Sequence, residues 1–162
     1  MKEVAILLLV ALLLNGCGSS KPTAQSAAGG VWSADLSGGE GSASGFSFIA
    51  QFTVASSGTL SIQNFQFLNM SSCFPIDPLS SGGSVSGSMD LTENMATDAV
   101  TGSMTFTVVG NGNTLTLTSS TVTGTISGTT LSGGAATGTW SLSGGTGCTG
   151  ASGSFTMSQT TS

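Results

Sequence analysis

Histidine, tyrosine and arginine are missing from this chain of 162 residues, and its two cationic side chains are Lys2 and Lys21. Without histidine, the Ser-His-Asp and Cys-His nucleophile pairs and the histidine-ligated zinc and haem sites are excluded. Without arginine, bidentate recognition of phosphate is excluded too. These absences remove most familiar classes of enzyme, so we predict no catalytic residues, no metal and no cofactor.

The chain is acidic, with a net charge of −5 at pH 7. Binding of nucleic acid requires a basic surface that displaces counterions, so nucleic acid is excluded as a partner. From residue 17 onward the chain holds 29 serines, 23 threonines and 24 glycines. A length of this order allows one domain with one core. The sequence is therefore more informative about the fold and the cellular location of the protein than about its activity.

The N-terminus has the pattern of a secretory leader. An apolar run of 11 residues, Val4 to Leu14, follows Met1-Lys2-Glu3. This length is typical of the apolar region of a signal peptide, whereas a membrane-spanning helix needs about 20 residues. We expect residues 1–16 to be removed on export.

Leu14-Asn15-Gly16-Cys17 resembles the lipobox of bacterial lipoproteins. The resemblance implies that Cys17 becomes the first mature residue and carries the lipids that hold the protein on a membrane. Gly18 stands where that family has Asp as an inner-membrane retention signal, which implies sorting to the outer membrane. An ordinary secretory signal is the alternative.

Residues 17–29 contain no apolar side chain larger than Ala after the cysteine, so we predict that this stretch is a flexible tether. Residues 30–162 then form a single domain. If lipidation uses Cys17, the remaining cysteines, Cys73 and Cys148, make an even pair in an oxidising compartment. We predict a disulfide between them.

Apolar residues recur with a period of two, which indicates strands rather than helices. The pattern is clearest at alternate positions of one run: Phe46, Phe48, Ala50, Phe52 and Val54. A change of parity between Ile62 and Phe65 predicts a β-bulge near Gln63-Asn64. The domain is therefore predicted to be all-β.

An internal repeat, apolar-x-Gly-x-apolar-x-apolar, occurs five times, with the third copy one apolar position short. Its glycines are Gly87, Gly102, Gly124, Gly138 and Gly153. The spacing suits one strand and one turn per copy, and glycine on the inward parity permits sharp coiling. We predict an antiparallel meander of about eight to ten strands closing into a barrel, with these glycines inside. A two-sheet sandwich is the alternative.

Gly30-Val31-Trp32 at the start of the first strand resembles the opening of lipocalins, which are small calyx barrels. That resemblance implies an interior that takes a small apolar ligand. The residues expected to line it are Trp32, Phe46, Phe48, Phe52, Met104, Phe106, Trp140 and Phe155. The abundance of serine, threonine and glycine is also similar to that of bacterial lipoproteins with no assigned activity, and implies none.

Three acids, Asp90, Glu93 and Asp98, fall within nine residues. Oxygen ligands of this kind suit Ca²⁺, but their spacing differs from that of an EF-hand loop. A solvated acidic loop is the simpler interpretation. A glycosidase would need two carboxylates held at a defined separation, and the spacing singles out no such pair.

We therefore predict a lipid-anchored, non-catalytic envelope protein that acts as a binding or structural module. One alternative is an inhibitor of a protease or lysozyme that uses an exposed loop such as Ser71–Ser81, since an acidic domain suits a basic enzyme. The other alternative is a carrier of a small apolar ligand. An internal cavity above roughly 300 Å³ favours the carrier, and a filled core favours the others.

Overall fold

The computed structural model describes residues 23–39, 45–69, 71–145 and 148–160. Eight strands, one short α-helix and one 3₁₀ turn make up the regular structure of these residues. Their bounds are α1 Ala24–Ala27, β1 Gly30–Gly38, β2 Ser47–Val54, β3 Leu60–Asn69, the 3₁₀ turn Pro78–Ser81, β4 Ser84–Asn94, β5 Ala99–Gly110, β6 Asn113–Ser127, β7 Thr130–Ser143 and β8 Ser152–Thr160. Neither described helix is long and apolar enough to cross a bilayer.

The strands form one antiparallel sheet in the order β3-β2-β1-β8-β7-β6-β5-β4. The sheet curls so that its two end strands meet. Thr59, just before β3, forms a bridge with Ser88 of β4, and the Met89 amide donates a hydrogen bond to the Gly58 carbonyl oxygen at 2.8 Å. The predicted all-β, barrel-like meander is confirmed, and the sandwich alternative is wrong because the described strands form one sheet instead of two.

Alternation along β2 and β3 places their phenylalanines inside the barrel. Phe48 and Phe52 are fully buried, as are most apolar residues of the same parity. The register between β2 and β3 changes where Gln51 pairs with Asn64 and Phe52 with Ile62, which leaves Gln63 as the extra residue. The predicted bulge is confirmed there, and it returns Phe65 to the inner face.

One end of the barrel, the α1 end, is covered by the short helix. Thr23 caps this helix, and Ala24, Ala27 and Ala28 are buried. The Trp32 indole nitrogen donates to the Ala28 carbonyl oxygen at 3.0 Å. Part of the predicted tether therefore belongs to the folded domain. The alanine side chains are small enough to pack against the α1 end of the barrel. The buried Trp32 indole needs a hydrogen-bond acceptor, and the Ala28 carbonyl oxygen is that acceptor.

The opposite end, the disulfide end, is tied by Cys73 and Cys148. Their sulfur atoms are bonded and their Cα atoms are 5.8 Å apart, so the predicted disulfide is confirmed. Cys73 lies in the connection from β3 to β4, and Cys148 in the connection from β7 to β8. The bond therefore joins two connections that are far apart in sequence.

The repeat glycines lie on the inner face, as predicted. Each is half-buried and shares the parity of buried neighbours on its strand. A Cβ added to Gly138 would collide with the Thr118 carbonyl oxygen and lie 2.9 Å from the Phe155 ring. A Cβ at Gly153 would collide with the Ser37 carbonyl oxygen. The missing side chains therefore allow neighbouring strands and large side chains to approach closely.

Candidate functional site

The eight residues expected to line a calyx form the packed interior of the barrel. Each is at most 2% exposed. Their rings contact one another: the centroids of Phe48 and Phe106 are 5.4 Å apart, and those of Phe46 and Trp140 are 5.7 Å apart. A ligand at this place would have to displace a ring. The full set is Trp32, Phe46, Phe48, Phe52, Met104, Phe106, Trp140 and Phe155.

Two polar side chains at the edges of this interior, those of Trp140 and Ser119, are hydrogen-bonded to other strands. Trp140 donates from its indole nitrogen to the Ser37 carbonyl oxygen at 2.9 Å. Buried Ser119 donates to the Thr137 carbonyl oxygen at 2.7 Å and accepts from the Thr121 amide. These groups are used to hold strands together, which leaves them unavailable to a ligand.

The three acids that suggested a calcium loop do not converge. Asp90 and Glu93 have opposite parity on β4, so their side chains lie on different faces of the strand. Asp98 lies in the following turn, where its backbone is left-handed with φ of 55°. Within the described ranges, no three His, Cys, Asp or Glu side chains are grouped so that they could hold a metal ion.

The outer face of the barrel is covered by hydroxyl groups. Cross-strand pairing aligns them in rows, in which Ser88 and Thr105 hydroxyls lie 2.9 Å apart and Ser37 and Ser154 hydroxyls also 2.9 Å apart. One such row runs through Ser88, Thr105, Thr118, Thr139, Ser154 and Ser37. The serine and threonine content is thereby explained by a solvated outer face.

A surface depression of about 380 Å³ lies at the α1 end. Uncharged residues line it, including Gln51, Thr130 and Gln159. Gln159 donates to the Gly29 carbonyl oxygen at 3.0 Å, which ties the start of β1 to the end of β8. Its lining therefore offers amide and hydroxyl groups but no ionisable side chain.

The disulfide loop, residues 71–83, belongs to the longest connection between consecutive strands, which joins β3 to β4. Phe74 is fully buried and stacks on Phe67, with ring centroids 5.2 Å apart. Asp77 accepts a hydrogen bond from the Leu79 amide at 3.0 Å and so caps the 3₁₀ turn. Gly82 follows the last residue of the turn as its C-cap, and its φ of 77° is the left-handed conformation that glycine favours.

Hydrogen bonds from two asparagines hold the disulfide loop against its neighbours. Asn113 donates to the Cys73 carbonyl oxygen at 2.7 Å and accepts from the Gly145 amide at 2.9 Å. Asn111 donates to the Ile76 carbonyl oxygen at 3.2 Å. The loop is thus supported from the β5–β6 turn and from the β7–β8 connection.

Exposed large apolar side chains are concentrated at this end. Ile76 is 53% exposed and Leu79 46%, and both lie in the disulfide loop. Leu68, at the end of β3, is 51% exposed, and Val109, near the end of β5, is 38% exposed. We call these four residues the apolar patch. Met95, 74% exposed, lies at the opposite end of the barrel.

The sequence predicts an ordered loop here but not which of its side chains are exposed. Two prolines flank Ile76 and Asp77 within Cys73-Phe74-Pro75-Ile76-Asp77-Pro78, a signal for an ordered loop rather than for exposure. The predicted lipidation residue, Cys17, lies outside the described residues. Comparisons with protein-family models, with curated proteins and with solved structures found no match.

Proposed function

We propose that this chain is a lipid-anchored, non-catalytic protein of the bacterial cell envelope whose barrel presents a disulfide-supported loop for binding. The observation that carries the proposal is the filled interior together with the exposed apolar residues at one end. A barrel packed with rings to its centre serves as a rigid support. Exposed apolar residues on a supported loop are a feature of interaction sites.

Export and anchoring are supported by the cysteines. A disulfide between Cys73 and Cys148 is expected to persist in an oxidising compartment such as the periplasm. This leaves Cys17 for lipidation, and Cys17 directly follows Leu14-Asn15-Gly16 at the end of the leader. Gly18 after the cysteine favours the outer membrane over the inner membrane. The leader, the lipobox and the disulfide therefore all support a location in the cell envelope.

Among the alternatives, an inhibitor is favoured over a carrier. The loop that an inhibitor would use, Ser71–Ser81, is held by a disulfide and exposes Ile76 and Leu79. A carrier would need an interior volume, and the residues expected to line it contact one another instead. An inhibitor is then the special case in which the bound partner is an enzyme.

The anchor is tested by changing Cys17 to Ser in the full chain expressed in a Gram-negative host. The unchanged protein is expected in the outer-membrane fraction, with mass spectrometry showing acylated Cys17 at its N-terminus. The C17S variant is expected to lose the lipid and the membrane association. A matched control, the double variant C73S and C148S, should keep the lipid. An unacylated mature N-terminus at another residue would contradict the proposal.

A further inference from the structure

The apolar patch lies at the end of the barrel opposite to the point where the chain enters. The chain reaches the barrel through α1, at the end where β1 begins. The disulfide loop lies beyond the other end of β1, about 30 Å away for a nine-residue strand at about 3.3 Å per residue. A lipid on Cys17, six residues before Thr23, would therefore leave the patch pointing away from the membrane.

The disulfide loop, which carries Ile76 and Leu79, is ordered before any partner binds. The disulfide, the buried Phe74 ring and the Asn111 and Asn113 hydrogen bonds each restrain it. Ordering an interface side chain or loop on binding reduces affinity, and a loop that is already held avoids most of that loss. Ile76 and Leu79 are thus presented in one arrangement.

Charge indicates which kind of partner fits. The whole chain carries −5, and the disulfide loop itself contains Asp77. Both lysines of the sequence lie outside the described residues, so the described surface has carboxylates and no cationic side chain. A second copy would carry the same excess of negative charge, whereas a basic surface would be attracted to it.

We infer that the apolar patch docks a basic protein of the envelope, with Ile76 and Leu79 entering an apolar pocket on that partner and Asp77 facing its cationic rim. Aliphatic anchors surrounded by opposite charges give both affinity and a fast approach. This inference rests on the proposed function, because the anchor sets which end of the barrel faces a partner.

Site-specific photocrosslinking in the native envelope tests the inference. A benzophenone amino acid replaces Ile76, Leu79 or, as the matched control, Met95, which is also exposed and apolar but lies at the α1 end. A discrete adduct with one protein is expected from positions 76 and 79 and not from 95. Mass spectrometry of the adduct should identify a partner with net positive charge.

The partner is then purified and its affinity measured against the full chain. The double variant I76S and L79S is expected to bind at least about tenfold more weakly, and D77K to associate more slowly with less dependence on salt. Near-ultraviolet circular dichroism should show that both variants are folded. Unchanged affinity in both variants would overturn the inference.

Other results of the crosslinking would also overturn it. These are an absence of adducts at 76 and 79, equal adducts at 95, an acidic partner, or an adduct of twice the chain's own mass, which would identify a second copy. The proposed anchor is judged separately by the membrane fractionation of C17S. An acylated protein without adducts contradicts the inference alone, and an unacylated protein with adducts at 76 and 79 contradicts the anchor alone.

Discussion

Two regions of the barrel bury their inner faces by different means. The chain from β1 to the disulfide loop holds seven of the ten aromatic residues, and their rings pack against one another. Strands β4–β8 hold three aromatics and all five repeat glycines. We call these the aromatic region and the glycine region.

In the glycine region, the space left by a missing side chain is filled by a side chain from a neighbouring strand. A Cβ at Gly138 would lie 2.9 Å from the Phe155 ring, and a Cβ at Gly153 would lie 2.7 Å from the Trp140 indole nitrogen. At Gly87 the nearest side chain is that of Leu60, 2.8 Å away. Large side chains from neighbouring strands therefore cover these three glycines. A chain poor in large apolar residues can therefore fill a barrel when its strands coil tightly enough to reduce the enclosed volume.

The largest expected effect is in the aromatic region. Phe48→Ala removes a ring that contacts those of Phe65, Phe67 and Phe106. The tight curl of the surrounding strands limits collapse, so the free energy of unfolding should fall by about 3–5 kcal/mol in urea titrations. Thr105→Ala on the outer face should change it by less than about 0.5 kcal/mol. An equal effect of both would contradict the ring-packed core.

Loss of the disulfide tests the connection between the two regions. Cys73 belongs to the aromatic region and Cys148 to the glycine region, and the bond spans a sequence separation of 75. In the chain-entropy model, the double variant C73S and C148S should lose about 4 kcal/mol of unfolding free energy. A reducing agent should destabilise the unchanged protein and leave the double variant unaffected. Equal sensitivity of both proteins would show that the bond is not the cause.

A smaller effect is expected from filling a glycine position. Gly138→Val should cost about 1–3 kcal/mol, because the added atoms collide with the Thr118 carbonyl oxygen and the Phe155 ring. Gly145→Val is the matched control, since a Cβ there meets only the Asn113 side chain at 3.8 Å. Urea titrations of both variants decide the comparison. If G138V leaves the free energy of unfolding unchanged, the inner face at this position has room for a side chain.

Much of the fold could be predicted from local pattern. Alternation along a strand assigns each residue to one face, because successive Cβ atoms point to opposite sides of a sheet. The inward glycines, the bulge at Gln63 and the all-β class follow from that rule. The predicted start of the domain at residue 30 is too late, since the alanines of α1 have no periodic pattern and are ordered by the barrel end they cover.

The candidate site was predicted less well than the fold. Ile76 and Leu79 are apolar residues in a loop, and nothing local distinguishes an exposed anchor from a buried one such as Phe74. Their exposure depends on which side chain of the loop fits between Phe46 and Phe67. That choice is made by contacts between segments distant in the chain.

The amino-acid sequence is enough to predict which residues face inward, which cysteines pair once Cys17 is set aside, and that histidine and arginine chemistry is absent. The three-dimensional fold is needed to see that the inward rings contact one another across the barrel, and that four exposed apolar residues lie at the disulfide end. The side of the sheet on which a side chain lies is set by the backbone of its own strand. The volume inside the barrel and the grouping of exposed residues depend instead on the curvature of the whole sheet.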